Sequence, residues 1–259
     1  AKPAASNLRT QKTVVFTTIN FSMKNTITLF IQCLVDSLYP EVGMAMVRLF
    51  SRLGLTMIYP ESQTCCGQPP YNAGFHGEAR RIADHFLAVF AAAPVIVAPS
   101  GSCVTMVRHE FPNLYRDEPG KLAQVLALAG RTYELSEFLV NVMGKVDFGA
   151  QWHGRVTYHD ACHMARGLGL TAEPRALLAQ VKGLELVEMR EADGTISEPW
   201  CCGFGGAFAA KQSAISGAML NEKIRRIEAA NVDAVIISDA GCMMHMNGGL
   251  QRQNRPIRV

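Results

Sequence analysis

Short apolar runs separated by longer amphipathic stretches organise the chain. Residues 26–31, 55–59 and 93–98 are brief and rich in β-branched or aliphatic side chains, as are 155–159, 184–189 and 232–237. Runs of that length predict buried strands rather than helices. Between them, residues 41–53, 77–90, 174–181 and 213–230 predict helices, and Pro174 occupies a tolerated first-turn position. In the last of these, Ala218, Ile224 and Ile227 fall near helical spacing, so Glu222, Lys223, Arg225 and Arg226 are expected to point outward. Residues 120–143 read as a helix closing the first half. The alternation predicts an α/β fold of two pseudo-symmetric repeats, each a small parallel sheet flanked by helices. The expected boundaries are a flexible N-terminal extension over 1–25, a first domain over 26–143, a glycine-containing linker over 144–154 and a second domain over 155–259.

Composition narrows the function classes. At 259 residues, 49% hydrophobic and 18% charged, the chain has enough apolar surface for a packed core. It contains no apolar run near the ~18 residues a membrane span needs, so no transmembrane segment is expected. A net charge of +3, no block of five basic residues and only two Trp argue against nucleic acid as a partner. Residues 14–16 are too short for a secretory h-region, which points to the cytoplasm, where thiols stay reduced.

The eight cysteines repeat as a pattern. Cys33, the pair Cys65-Cys66 before Gly67, and Cys103 are followed by Cys162, the pair Cys201-Cys202 before Gly203, and Cys242. The second set trails the first by 129 to 139 residues, and the flanking strands repeat with it. Single cysteines at strand ends, with each pair one loop beyond a strand, predict that the four thiols of a half converge on one sheet rim.

Four chemistries compete for such quartets. Disulfides fit poorly, because adjacent cysteines do not readily bond each other and the compartment is reducing. Zinc would close a tetrahedral thiolate site, though the usual C-x₂₋₄-C knuckle is absent and the module would then serve interaction alone. A reactive pair would make a thiol–disulfide reductase. An iron–sulfur cluster is wide enough to accept ligands from separate loops, with neighbouring cysteines on different irons. In the last case Cys33, Cys65, Cys66 and Cys103 hold one cluster and Cys162, Cys201, Cys202 and Cys242 another, giving one or two [4Fe–4S] clusters per chain. Around them, His159, Asp160 and His163 are candidates to hydrogen-bond cluster sulfur, and Gly67 and Gly203 allow close backbone approach. His245 and His109 are weaker ligand candidates, while His76 and His85 read as surface residues. No nucleotide loop, flavin fingerprint or nucleophile elbow is present.

Residues 31–42 (IQCLVDSLYPEV), 65–69 (CCGQP), 159–163 (HDACH) and 201–206 (CCGFGG) resemble the duplicated cysteine-rich CCG-domain family. That family includes the catalytic B subunit of heterodisulfide reductase and the iron–sulfur subunit of glycolate oxidase. The resemblance covers about residues 26–250 and is strongest to lactate-utilisation members. It implies an iron–sulfur electron-transfer subunit in 2-hydroxy-acid, and specifically L-lactate, oxidation. It also implies two partners, a ferredoxin-like iron–sulfur protein and a further lactate-utilisation subunit. One departure matters. The family's full motif ends each half in C-x-x-C, and here the first position of that pair is Ser100 or Asp239. Four thiols per half fit a cubane, or an oxygen ligand from Ser100 or Asp239, better than a five-thiolate cluster that breaks disulfides.

Overall fold

The structure is a computed structural model that describes residues 25–191, 193–196 and 199–259. The extension expected over 1–25 lies outside it, apart from its last residue. Strands β1 (Thr26–Leu29), β2 (Thr56–Ile58), β3 (Ile96–Ala98) and β4 (Thr132–Glu134) form one sheet in the order β2-β1-β3-β4. Strands β5 (Gln151–His159), β6 (Lys182–Leu186) and β7 (Ala234–Ile237) form a second in the order β6-β5-β7. Every pairing within these sheets is parallel. Parallel neighbours need crossovers, and helices supply them. In the first half these are α1 (Cys33–Leu38), α2 (Pro40–Arg52), α3 (Gln68–Asn72), α4 (His76–Val89), α5 (Gly101–Thr105), α6 (Phe111–Leu114), α7 (Pro119–Ala129) and α8 (Leu135–Glu137). In the second they are α9 (Ala172–Leu178), α10 (Ala207–Lys211), α11 (Ser213–Ala229) and α12 (Ala240–Arg252). Strand β1 is central in its sheet as β5 is in its own, so β2-β1-β3 and β6-β5-β7 are the same unit twice, with β4 added to the first.

The duplication extends into the core. Helix α4 buries Ala79, Ala83, Phe86, Leu87 and Phe90. Helix α11 buries Ser216, Leu220, Lys223, Ile224 and Ile227, each 137 residues later. Phe30, at the end of β1, meets Phe86 edge to face with ring centroids 4.9 Å apart, a geometry aromatic rings prefer.

The structure departs from the expectations at three places. The helix read over 120–143 is interrupted: α7 stops at Gly130, and Thr132–Glu134 leaves it to pair with β3. Glu134 then restarts a helix through a capping box with Glu137, and the chain continues as a π-helical turn, Phe138–Val142. The open edge of β3 outweighs the local helical pattern there, because pairing satisfies buried backbone groups. Lys223 and Arg226, expected outward, are buried at 2% and 7% exposure. Strand β5 also starts at Gln151, inside the stretch read as linker.

Gly67 and Gly203 turn the chain after each cysteine pair with φ of +83° and +91°, a region that costs other residues about 1 kcal/mol. They differ in surroundings. A Cβ on Gly203 would lie 2.6 Å from the Ser216 carbonyl oxygen on α11, whereas one on Gly67 would lie 3.3 Å from a movable Ile82 methyl. Gly203→Ala is therefore expected to destabilise the protein by ~3 kcal/mol and Gly67→Ala by only ~1 kcal/mol. Denaturant midpoints of the two variants measure the difference.

Candidate metal centre

All eight cysteines are free thiols and all eight line one cavity of about 180 Å³. Cys33 opens α1 directly after β1, and Cys103 lies in α5 after β3. Cys162 follows β5, and Cys242 lies in α12 after β7. The pairs Cys65-Cys66 and Cys201-Cys202 come from the loops that Gly67 and Gly203 turn. The sequence pattern placed each quartet at its own sheet edge; the structure turns both edges toward each other.

Within each half the thiols touch in the same order. The Cys33 and Cys66 thiols donate hydrogen bonds to Cys65, and Cys66 also donates to Cys103. The Cys162 and Cys202 thiols donate to Cys201, and the sulfurs of Cys202 and Cys242 are 3.3 Å apart. One member of each row carries the negative charge. Hydrogen bonds from Cys33, Cys66 and the Gly67 N–H pull Cys65 down to about 3. Bonds from Cys162, Cys202 and the Gly203 N–H pull Cys201 down to about 2. Cys33, Cys162 and Cys202 are pushed up first by donating to those thiolates, and Cys66 first by donating to Cys103 and then to Cys65; burial adds to all four. A protein-only quartet thus supports one thiolate, and a second would meet like charge in a low-dielectric site. Positive charge from a bound metal or metal–sulfur group lets the others ionise. Backbone N–H groups already aim at sulfur: Gly203 at Cys201 (3.3 Å), Phe204 at Cys202 (3.4 Å) and Gly67 at Cys65 (3.5 Å). The donor set fits a thiolate-ligated group.

The accessory residues divide. His159 is wholly buried, and neither ring nitrogen has a hydrogen-bond partner among the described residues. It and the sulfurs of Cys202 and Cys242 offer donor atoms all within 4.8 Å of one another. Burial, then the charge of Lys223, lowers its pKa to about 3, so the ring is neutral. His163 lines the cavity, with Nδ1 3.8 Å from the Cys162 sulfur. Asp160 turns away: Arg175 holds both its oxygens at 2.8 and 2.7 Å. His245 pairs with Ser216 instead of facing the cavity, and His76, His85 and His109 are exposed.

Ser100 and Asp239, which stand where the family motif has cysteine, meet at 3.2 Å between the two halves. The Asp239 carboxylate also accepts from the N–H groups of Ser102 (2.9 Å), Gly241 (3.1 Å) and Cys242 (3.2 Å). It therefore caps α12 and fastens it to α5. Gly101 N–H to the Ser238 carbonyl (3.0 Å) and the Thr105 hydroxyl to the His163 carbonyl (3.0 Å) complete that seam.

Two cavity or near-cavity residues carry no distinct signal in the sequence. Gln32 is 1% exposed and lines the cavity beside Cys33, its side-chain amide without a hydrogen-bond partner among the described residues. Lys223 lies behind the second quartet. Matching α4 to α11 residue by residue would have exposed the latter.

A family model described as a cysteine-rich domain, CCG, matches residues 27–108 and again 156–247. Lactate utilization protein A of Geobacillus kaustophilus is 46% identical over 90% of this chain and 95% of its own length. The protein of that name from Halalkalibacterium halodurans is 44% identical over 90% and 93%, and lactate utilization protein A 2 of Bacillus cereus is 41% identical over 90% and 94%. With both thiol rows falling inside the matched segments, the chain belongs to the CCG cysteine-rich domain family and carries the domain twice.

Proposed function

We propose that the chain is an iron–sulfur electron-transfer subunit of a lactate-utilisation system. The observation that carries this reading is the pair of matched thiol rows facing one cavity, in a chain whose relatives bear the lactate-utilisation name. Cys33, Cys65, Cys66 and Cys103 would hold one group and Cys162, Cys201, Cys202 and Cys242 the other, each a [4Fe–4S] cluster. Bound there, such a group supplies a one-electron redox centre. Oxidation of a 2-hydroxy acid to a 2-oxo acid releases two electrons and two protons. Two one-electron sites match that count, with the oxidation performed on a partner subunit and a ferredoxin-like protein taking electrons singly. The chain's own residues contribute the thiolates and the N–H donors of Gly67, Gly203 and Phe204, with Cys66, Cys202 and Cys242 buried and Cys33 exposed. No helix among the described residues is long and apolar enough to cross a membrane.

Anaerobic purification followed by iron and sulfide assay, visible absorption and EPR tests the reading. The expected result is about eight irons per chain, with bleaching by dithionite. Two zinc ions per chain with no bleaching would instead establish a structural metal module. Metal-free protein with a readily alkylated Cys65-Cys66 pair would establish a thiol–disulfide reductase.

A further inference from the structure

The two repeats differ at one matched pair of positions directly behind the thiols. Phe30, just past the end of β1, and His159, the last residue of β5, each lie three residues before the first cysteine of their quartet. Phe86 and Lys223 occupy the same buried place on α4 and α11. The first repeat therefore backs its thiols with an edge-to-face Phe30–Phe86 pair, and the second puts an imidazole and an ammonium in those places.

Neither replacement has an oxygen partner among the described residues. Both His159 ring nitrogens are without a hydrogen-bond partner there. Lys223 is 2% exposed, and its Nζ donates to the Met189 sulfur at 3.9 Å. It enters none of the ion pairs among the described residues, for the nearby Asp160 and Glu188 are both held by Arg175. A buried ammonium without a carboxylate is costly unless negative charge forms beside it. Burial and the neighbouring Arg226 cation work against the Lys223 charge, and the negative charge that favours it comes from Cys202 and Cys242 of the second quartet together with Asp160. The opposing charge, Asp239, also faces Cys162 and Cys242 of this quartet, but it is shared among the Ser100 hydroxyl and the N–H groups of Ser102, Gly241 and Cys242, whereas Lys223 has no such set of partners among the described residues to spread its charge.

We propose that His159 and Lys223 make the second quartet the electron-accepting end of the molecule, so that electrons entering at the first site run to the second and leave from there. This deepens the reading that both quartets hold iron–sulfur groups and rests on it. In the step, one electron is lost at the first site and gained at the second, with no atom transferred. The electron comes from the partner that oxidises the 2-hydroxy acid. Fixed positive charge and donors near sulfur raise a site's reduction potential, which sets that direction. His159 and Lys223 are positioning residues here; they bias a site they do not ligate.

The test is a redox titration followed by EPR on the full chain, reconstituted anaerobically with ferrous iron and sulfide. Two potentials are expected, and Cys202→Ser should remove the higher one. Lys223→Met should make reduction of that site tenfold less favourable, a fall of about 59 mV for a one-electron couple, and leave the lower potential in place. Lys223→Arg should keep the parent value. His159→Phe, which installs the first-repeat residue, should shift the same potential in the same direction, and it decides the matter if Lys223→Met does not fold. Unchanged potentials in both Lys223→Met and His159→Phe, a shift confined to the lower one, or loss of the lower one in Cys202→Ser would overturn the proposal. Iron-free parent protein would overturn the iron–sulfur reading along with it, whereas iron-loaded protein with unmoved potentials overturns this inference alone.

Discussion

Cys202→Ser should halve the iron and sulfide bound per chain. Cys202 is buried, lies 3.3 Å from the Cys242 sulfur, and receives the Phe204 N–H. Serine is shorter, harder and far less acidic than cysteine, and it makes a poor partner for iron. Losing one of four ligands is expected to weaken binding at that quartet by at least ~100-fold, beyond the loss usual for outer-shell changes. The first quartet draws its thiols from Cys33, Cys65, Cys66 and Cys103, and these make no bond with Cys202, so it should keep its complement. Cys66→Ser is the mirror experiment. Iron per chain, measured on anaerobic protein, decides the matter. If either variant arrives empty at both quartets, the rows grip one joint group across the cavity and the assignment of one group per row is wrong.

Asp239→Ala should cost the fold ~3–4 kcal/mol. The carboxylate is 5% exposed and accepts from three N–H groups and one hydroxyl. Alanine would leave Ser102, Gly241 and Cys242 N–H groups buried without partners and strip α12 of its cap. Each such loss is worth ~1 kcal/mol, with charge-assisted bonds above that. Asp239→Asn keeps one acceptor oxygen and should recover about half. Chemical denaturation of the two variants beside the parent gives the comparison; a loss below ~1 kcal/mol for Asp239→Ala would mean water replaces the carboxylate at the seam.

Much of the architecture was legible in the residues. The buried apolar runs mark most of the strands, and the doubled cysteine pattern marks two equivalent units. Strand β4 escaped because its three residues lie between two helical patterns, and only the vacant edge of β3 selects them. Lys223 escaped for a similar reason. Beside Glu222, Arg225 and Arg226 it reads as part of a solvated face, yet its place on α11 is that of Phe86 on α4. The convergence of two quartets on one cavity was not readable at all. It depends on how the repeats are turned against each other, and that is set by contacts such as Ser100 with Asp239, 139 residues apart.

The seam has a practical meaning for anyone wishing to study half of this molecule. Cut away from its twin, the first repeat would present the N–H groups of Gly101 and Ser102 and the Thr105 hydroxyl to solvent at the mouth of its own thiol row. The severed second repeat would keep Asp239 as a cap but lose the hydroxyl and N–H that dilute its charge. The repeats are two in ancestry and one in mechanics, and a minimal version of this protein is the whole of it.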